Sequence, residues 1–159
     1  MAIVALADLP GSQALFGLDL GEKTIGIAVS DTSGAIATPL TTLARTKFTA
    51  DAAKLFALMA ERGAVALVIG LPLNMDGSEG VRCQSTRAFA SNLLRLKAIP
   101  IAFWDERLST AAVHRSLIEE GDVSRSRRAR IVDRAAAAWI LQGALDRLRV
   151  MKARPTTAL

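Results

Sequence analysis

The stretch GLDLGEKTIGIAVSD, residues 17–31, decides the fold of this chain. An apolar run ends there at a glycine turn, and a second run rich in β-branched residues follows at once. This pattern predicts two strands, over residues 15–20 and 24–30, joined by a tight hairpin. Asp19 stands inside the first strand, where an acid is costly unless something binds it.

The remaining pattern predicts a single α/β domain. A third strand over 35–43 contains Pro39, which favours an edge or a bend. Two apolar runs, 64–69 and 101–104, are typical of buried parallel strands. Helices are expected over 49–62, up to 97, over 109–120 and over about 131–149, with a polar, basic and flexible segment at 121–130. The order βββαβαβαα predicts a ribonuclease-H-like five-stranded mixed sheet flanked by helices.

Composition and charge narrow the class of protein. The chain of 159 residues is 51% hydrophobic, and its net charge of +5 favours polyanionic partners. The lone Cys83 excludes an internal disulfide and a cysteine-based metal site, and fits a reducing cytoplasm. The only histidine, His114, is expected on a helix without a catalytic role. We expect a flexible extension at 1–14 that is neither a signal peptide nor a membrane span, a domain at 15–149 and a flexible tail at 150–159.

Acids from three separate segments are expected to meet at one edge of the sheet. Asp105 and Glu106 close the fifth strand, which we expect near the first strand at the sheet centre. Asp133 lies in the expected first turn of the last helix, where the helix dipole favours its ionised form. Carboxylate oxygens without His or Cys suit Mg²⁺ or Mn²⁺. Each acid taken alone also has an ordinary interpretation: Asp19 as a turn residue, Asp105 and Glu106 as a solvated strand end or an ion pair with Arg107, and Asp133 as a first-turn helix acid.

Four motifs in order carry a resemblance to a known family: GLDLGEKTIGIAVSD, VIGLPLNMDGSEG, DERLST and VDRAAAAWILQGALD. They resemble the signatures of the YqgF family, bacterial ribonuclease-H-like proteins described as Holliday-junction-resolvase-like and as nucleases of the 5′ end of pre-16S rRNA. The resemblance implies catalytic metal ligands at Asp19, Glu106 and Asp133, a cytoplasmic location, and a monomer or homodimer. Related resolvases place an acid at the end of strand four, where this chain has Gly70, so Glu106 would supply that ligand instead.

Several polar and basic residues near these motifs are candidates for contact with nucleic acid. Asn74 lies in a loop dense in turn-forming residues, 70–80, and an arginine cluster precedes the last helix. The candidates are Lys23, Asn74, Arg107, Arg125, Arg127, Arg128 and Arg130. The ordinary alternative for the loop is a plain strand-to-helix connection, and for the cluster a solvated charged loop.

The sequence therefore predicts a Mg²⁺- or Mn²⁺-dependent nuclease for structured nucleic acid, with an rRNA precursor as substrate and no membrane partner. One alternative is a junction resolvase for branched DNA, which needs a symmetric dimer. Another is a non-catalytic RNA-binding factor of ribosome assembly. The GLDLG turn also resembles the phosphate loop of actin-like ATPases and sugar kinases, but those proteins close two such domains around a nucleotide.

Overall fold

A computed structural model describes residues 3–108 and 125–153 of the chain, with side chains for 3–108 and 134–153. The strands are β1 Ala14–Leu20, β2 Thr24–Ser30, β3 Ala37–Ala44, β4 Ala64–Leu71 and β5 Ile101–Asp105. The helices within the described ranges are α1 Phe48–Arg62, α2 Val81–Leu96 and α3 Arg125–Ala153. Short 3₁₀ turns lie at Leu6–Asp8 and Glu106–Leu108. The helix expected over 109–120 lies outside the described residues.

The strands form one mixed sheet in the order β3-β2-β1-β4-β5. β1 pairs antiparallel with β2 and parallel with β4, and β4 pairs parallel with β5. Pro39 lies in β3, the outermost strand on that side, as its missing N–H requires. The five-stranded mixed sheet predicted from the sequence is confirmed. Since β1, β4 and β5 run parallel, their carboxyl ends share one edge of the sheet.

The expectation that strands one and five are close together at the sheet centre is wrong. β4 lies between them, and β5 is the last strand on its side. The reason is the continuous apolar sequence of β4, AVALVIGL, almost all of which is buried. A strand with apolar side chains on both faces is most stable at the centre of a sheet. An acid on β5 must therefore reach across β4 to meet Asp19.

Each face of the sheet is covered by its own apolar core. Leu18 and Leu20 of β1 belong to the core beneath α1 and α2. The opposite face packs against α3 through small residues. A Cβ added at Gly17 would lie 2.6 Å from Leu141 Cβ and 2.8 Å from the Ala137 carbonyl oxygen. The helix therefore approaches the central strand as closely as a glycine permits.

The last helix is longer than the sequence pattern predicts. It begins at Arg125 rather than near 131 and continues through Ala153. Arginine and alanine favour helix, and neither Gly nor Pro occurs over residues 125–142. The basic residues 125–130 are thus helical rather than part of a flexible segment. Asp133 is the ninth residue of α3, so the expected dipole effect of a first turn does not act on it.

Parts of the two segments expected to be flexible, 1–14 and 150–159, lie among the described residues. Near the start, Ile3 forms a parallel bridge with Ile101, and the Val4 amide donates to the Ile101 carbonyl at 2.8 Å. Leu9 is buried in the core beneath α3. Main-chain pairing of Ile3 and Val4 with β5 and the burial of Leu9 thus attach this part of the chain to the domain. At the other end, residues 150–153 belong to α3.

Candidate active site

Asp19 is a buried acid near the end of the central strand. It pairs with Gly26 of β2, and only 2% of its surface is exposed. Side chains two residues apart on a strand share a face, so Asp19 points to the same side as position 17, which faces α3. Asp19 also interacts with neighbouring groups there. The prediction that Asp19 is an acid inside a strand is confirmed.

Gly70 explains how a second acid reaches Asp19. Leu18 pairs with Ile69, so Asp19 and Gly70 are the next residues along two adjacent parallel strands. A Cβ at Gly70 would lie 2.7 Å from Glu106 Oε1 and 2.5 Å from Ile140 Cδ1 of α3. The Glu106 carboxylate therefore occupies the space above β4 that any other side chain at position 70 would fill. Neighbouring strands are about 4.8 Å apart, so this space lies directly beside the Asp19 position.

The backbone of α3 brings position 133 toward the same end of the sheet. Ala137 lies against Gly17, whereas Leu145 lies near Gly34 in the turn after β2, at the opposite end. Position 133 precedes Ala137 by one helical turn and so lies toward the end of β1 that carries Asp19. The Asp133 side chain is outside the described set. Among the described residues, no group of three His, Cys, Asp or Glu is placed to hold a metal ion.

The two consecutive acids after β5 have different partners. The Asp105 carboxylate accepts from Arg107 Nη2 at 2.7 Å and from Arg107 Nε at 3.1 Å. The backbone amide of Arg107 also donates to Asp105 Oδ1 at 3.0 Å. The Arg107 guanidinium holds the pKa of Asp105 below its ordinary value. Asp105 thus pairs with a cation, and Glu106 alone extends over Gly70.

The loop at 72–80 forms a rim that Arg107 ties to the end of β5. Gly77 takes a positive φ of 88° and donates its amide to the Asn74 carbonyl at 2.8 Å. The exposed Asn74 amide donates to Ser78 Oγ at 3.0 Å. Arg107 Nη1 donates to the Met75 carbonyl at 3.2 Å. Arg107, expected as a nucleic-acid contact, therefore also holds this loop against the strand that carries Glu106.

The other predicted contacts are spread over two elements. Lys23 is exposed in the β1–β2 turn, next to the end of the strand that carries Asp19. The predicted arginines Arg125, Arg127, Arg128 and Arg130 lie in the first turns of α3, with side chains outside the described set. His114 lies outside the described residues altogether. The structure thus brings Asp19 and Glu106 together and leaves the arginine cluster as a prediction.

Two arginines, Arg45 and Arg82, line a cavity beside the β1–β2 turn. Neither was predicted from the sequence as a functional residue. A signal for Arg82 exists in the sequence. It falls in the first turn of α2, which contains no acid. A cation is unfavourable at a helix N-terminus, so an arginine there indicates a local role. No comparable pattern identifies Arg45, which lies just after an edge strand.

Comparison with known proteins identifies the family. The family model for RuvX, described as Holliday junction resolvase, matches residues 13–147. A protein of Phenylobacterium zucineum (strain HLK1), named "Putative pre-16S rRNA nuclease", is 63% identical over 94% of this chain and 99% of its own length. A protein of the same name from Caulobacter vibrioides (strain NA1000 / CB15N) is 66% identical over 89% of this chain and 91% of its own. These matches confirm the predicted resemblance and the predicted nuclease function.

Solved structures confirm the fold. Thermus thermophilus RuvC in complex with a Holliday junction substrate aligns with a TM-score of 0.51 at 12% identity, over 84% of this chain and 93% of that one. The yeast mitochondrial Holliday junction resolvase Ydc2 aligns with a TM-score of 0.52 at 11% identity, over 92% of this chain and 84% of that one. Across residues 3–108 and 125–153, no helix has the length and apolar character that crossing a membrane requires. The chain belongs to the RuvX family.

Proposed function

We propose that this protein is a divalent-metal-dependent nuclease that processes the 5′ end of pre-16S rRNA. The observation that carries the proposal is the Glu106 carboxylate in the space above Gly70, beside buried Asp19. A residue with a side chain at position 70 would exclude that carboxylate. Related resolvases place an acid at the end of β4, where this chain has Gly70. The structure thus supports the prediction that Glu106 supplies the ligand in its place.

The residues at this edge fit a hard divalent cation. The donors are carboxylate oxygens, the ligands that Mg²⁺ and Mn²⁺ prefer. Buried Asp19 and half-buried Glu106 repel each other when both are ionised, and a cation between them removes that repulsion. Bound there, a divalent ion supplies positive charge that polarises a phosphate and stabilises a leaving oxygen. We assign Asp19, Glu106 and Asp133 as the residues that would hold it.

Different parts of the fold hold Asp19 and Glu106 in place. Asp19 lies on the central strand, whose backbone is held by main-chain pairing with β2 on one side and β4 on the other. Glu106 begins the turn after β5, and its neighbour Asp105 fixes that turn through Arg107. These rigid supports hold the carboxylates in the fixed geometry that phosphodiester cleavage requires. Arg107 and the loop at 72–80 then border the path of the substrate strand.

The choice of an rRNA precursor rests on the relatives and the charge. Proteins that are 62–66% identical carry the name of a pre-16S rRNA nuclease. The net charge of +5 favours association with a phosphate backbone. We further propose that the protein acts in the cytoplasm, where an rRNA precursor would be met.

The test is cleavage of a short RNA that spans the 5′ end of the precursor, with Mg²⁺ or Mn²⁺. Asp19→Asn and Glu106→Gln keep the side-chain shape but remove the charge, and should slow cutting by at least ~100-fold. Glu61→Gln is the matched control, because Glu61 is exposed near the end of α1, at the opposite end of β4 from the acids. Equal cutting by wild type and Asp19→Asn would overturn the proposal. So would metal-dependent cutting in which Glu61→Gln is as slow as Glu106→Gln.

The family description favours a second candidate, resolution of branched DNA. That reaction needs two sites facing opposed strands, hence a symmetric dimer. A four-way DNA junction in the same assay distinguishes the substrates. Preferential cutting of the junction by a dimeric protein would favour the resolvase. RNA binding without cutting of either substrate would favour a non-catalytic assembly factor.

A further inference from the structure

A cavity of about 300 Å³ lies between the β1–β2 turn and the first turns of α2. This volume is at the lower end of the roughly 300–1,000 Å³ typical of small-ligand sites. Its lining includes Leu20, Glu22, Arg45, Arg82 and Ser85. None of these residues belongs to the acidic site described above.

Arg45 is held with its guanidinium at this cavity. Its Nη1 donates to the Gly21 carbonyl at 2.7 Å, and its guanidinium carbon lies 5.5 Å from the centre of the Phe89 ring. Arginine has five N–H donors, and one of them is committed to Gly21. The side chain is therefore oriented by the protein with donor capacity to spare.

Arg82 supplies a second cation at the same cavity. In the part of the chain with described side chains, the ion pairs are Arg87 with Glu79 and Arg107 with Asp105. Arg45 and Arg82 have no such acid partner within that set. Arg82 also stands in the first turn of α2, where the helix dipole disfavours a cation. An anion at the cavity would relieve this unfavourable placement, and Glu22 is the one acid among the lining residues.

The position of the cavity relates it to the acidic site. Leu20 lines the cavity and directly follows Asp19 in β1. Successive residues of a strand point to opposite faces of the sheet. The acids therefore lie on the α3 side of β1, and the cavity lies beyond the end of the strand on the α1 and α2 side. A strand whose cleaved bond lay at Asp19 and Glu106 would pass over this edge of the sheet.

We propose that Arg45, Arg82 and Ser85 bind a phosphate group of the substrate strand that flanks the cleaved bond. The identity of the strand rests on the proposed function, whereas the phosphate site itself can be measured without cleavage. Arginine binds phosphate in a bidentate manner, and a serine hydroxyl adds a neutral donor. The site would fix the register of the strand relative to the acids.

The experiment measures binding of a fluorescently labelled single-stranded RNA from the precursor sequence, by anisotropy, in EDTA and over a range of KCl concentrations. Arg82→Gln should weaken binding about five- to tenfold and reduce the salt slope by about 0.7, the value for one lost phosphate contact on a single strand. The matched control is Arg95→Gln, which removes one charge from an exposed position in the last turn of the same helix. That control should bind within about twofold of wild type, because a general charge effect is small at one position.

The outcomes separate this proposal from the nuclease assignment. Arg82→Gln and Arg95→Gln with equal affinity and equal salt slope would overturn the phosphate site. Titration with AMP tests a free nucleotide as the source of the phosphate. AMP binding that depends on Arg82, with RNA binding that does not, would overturn the strand assignment. Because the assay contains no metal ion, failure of the RNA cleavage test would leave this result intact.

Discussion

At the scale of single residues, the candidate site depends on a glycine, which has no side chain, at position 70. Gly70 leaves space above β4, and Glu106 reaches through that space from β5 toward Asp19. A different residue at this position would meet both Glu106 and Ile140 at distances that real Cβ atoms do not show. Gly70 therefore leaves the space in which the Glu106 carboxylate lies.

Substitution of Gly70 tests this point. Gly70→Ala should displace the Glu106 carboxylate and reduce the rate of RNA cleavage by about 10–100-fold, the effect of a misplacement of roughly 1 Å. Overpacking against Ile140 should also cost about 1–3 kcal/mol of unfolding free energy. The measurements are single-turnover cleavage and urea unfolding on the same protein.

The control is Gly63→Ala at the opposite end of β4. Gly63 has a φ of 68° with open space around it, so alanine there adds backbone strain without touching the site. It should lower stability by about 1 kcal/mol and leave the cleavage rate unchanged. A Gly70→Ala protein that cleaves like Gly63→Ala would contradict the role assigned to position 70.

Asp31 gives a second prediction at this scale, in the turn between β2 and β3. Its carboxylate accepts from the amide of Ile36 at 2.9 Å, from the Ser33 hydroxyl, and from the amide of Ala35 at 2.9 Å. These hydrogen bonds, that of Ile36 foremost, lower the pKa of Asp31 from the ordinary 3.8 to about 2. Because the folded pKa is lowered, the turn is supported fully above pH 3.8 and loses this support as pH falls toward 2. Carbon-13 NMR of the carboxyl groups should give a midpoint near 2 for Asp31, and an ordinary midpoint would contradict the turn geometry.

At the scale of secondary structure, parallel strand ends and a closely docked helix assemble the site. α3 lies against Gly17 and Gly70 of adjacent strands through Ala137, Ile140 and Leu141. This packing fixes how far position 133 lies from the end of β1. The 72–80 loop is joined to the same edge by the Arg107 side chain.

The docking of α3 can be tested at Gly17. A Cβ there would lie 2.6 Å from Leu141 Cβ and 2.8 Å from a backbone oxygen, so the helix must move. Gly17→Ala should therefore destabilise the protein by about 1–3 kcal/mol or more, measured by urea unfolding. It should also slow cleavage, because the helix that carries Asp133 shifts. Unchanged stability would show that the helix does not lie this close to β1.

The attachment of the loop can be tested at Arg107. Arg107→Lys keeps the charge but removes the planar fork that binds Asp105 and reaches Met75. Amides of residues 72–80 should exchange with deuterium several-fold faster, measured by mass spectrometry at neutral pH. Arg95→Lys on α2 serves as the matched control and should leave the loop unchanged. Equal exchange in the two variants would contradict the role of Arg107.

The same contact predicts a pH dependence. Arg107 lowers the pKa of Asp105, so the Asp105 charge and its hold on Arg107 are fully present above the ordinary value of 3.8. Asp105 becomes protonated, and its pairing with Arg107 is lost, only as pH falls below 3.8 through the lowered pKa. Loop exchange, corrected for the intrinsic pH effect, should therefore be constant down to about pH 4. An increase that begins near neutral pH would contradict this pairing.

At the scale of the whole molecule, much of the fold follows from the sequence. The apolar runs of β1 and β4, the β-branched run of β2 and the glycine after α1 predict those elements because each reflects local composition or turn chemistry. The expectation that β5 lies near β1 at the sheet centre was wrong, since the position of β4 between them depends on burial of the whole sheet. The start of α3 was also missed, because a basic segment has the helix propensity of its arginines as well as the polarity of a loop.

The acids of the site were predicted from the sequence, but their geometry was not. Asp19 is conspicuous as an acid in an apolar strand, and Glu106 was predicted from the resemblance of DERLST to a family motif. The space for Glu106 exists because Gly70 has no Cβ. No periodic pattern in the sequence indicates this contact, because it joins β4 to the turn after β5. The distinction between Asp105 and Glu106, which are adjacent in sequence, likewise depends on where the Arg107 side chain lies.

The central claim is that Asp19 and Glu106 together hold a divalent cation, and a Mn²⁺ titration followed by electron paramagnetic resonance tests it most directly. Wild type should bind Mn²⁺, and Asp19→Asn and Glu106→Gln should each bind more than about tenfold more weakly. Glu61→Gln should bind like wild type, because Glu61 is exposed at the opposite end of β4. Equal Mn²⁺ affinity in wild type, Asp19→Asn and Glu106→Gln would contradict the claim.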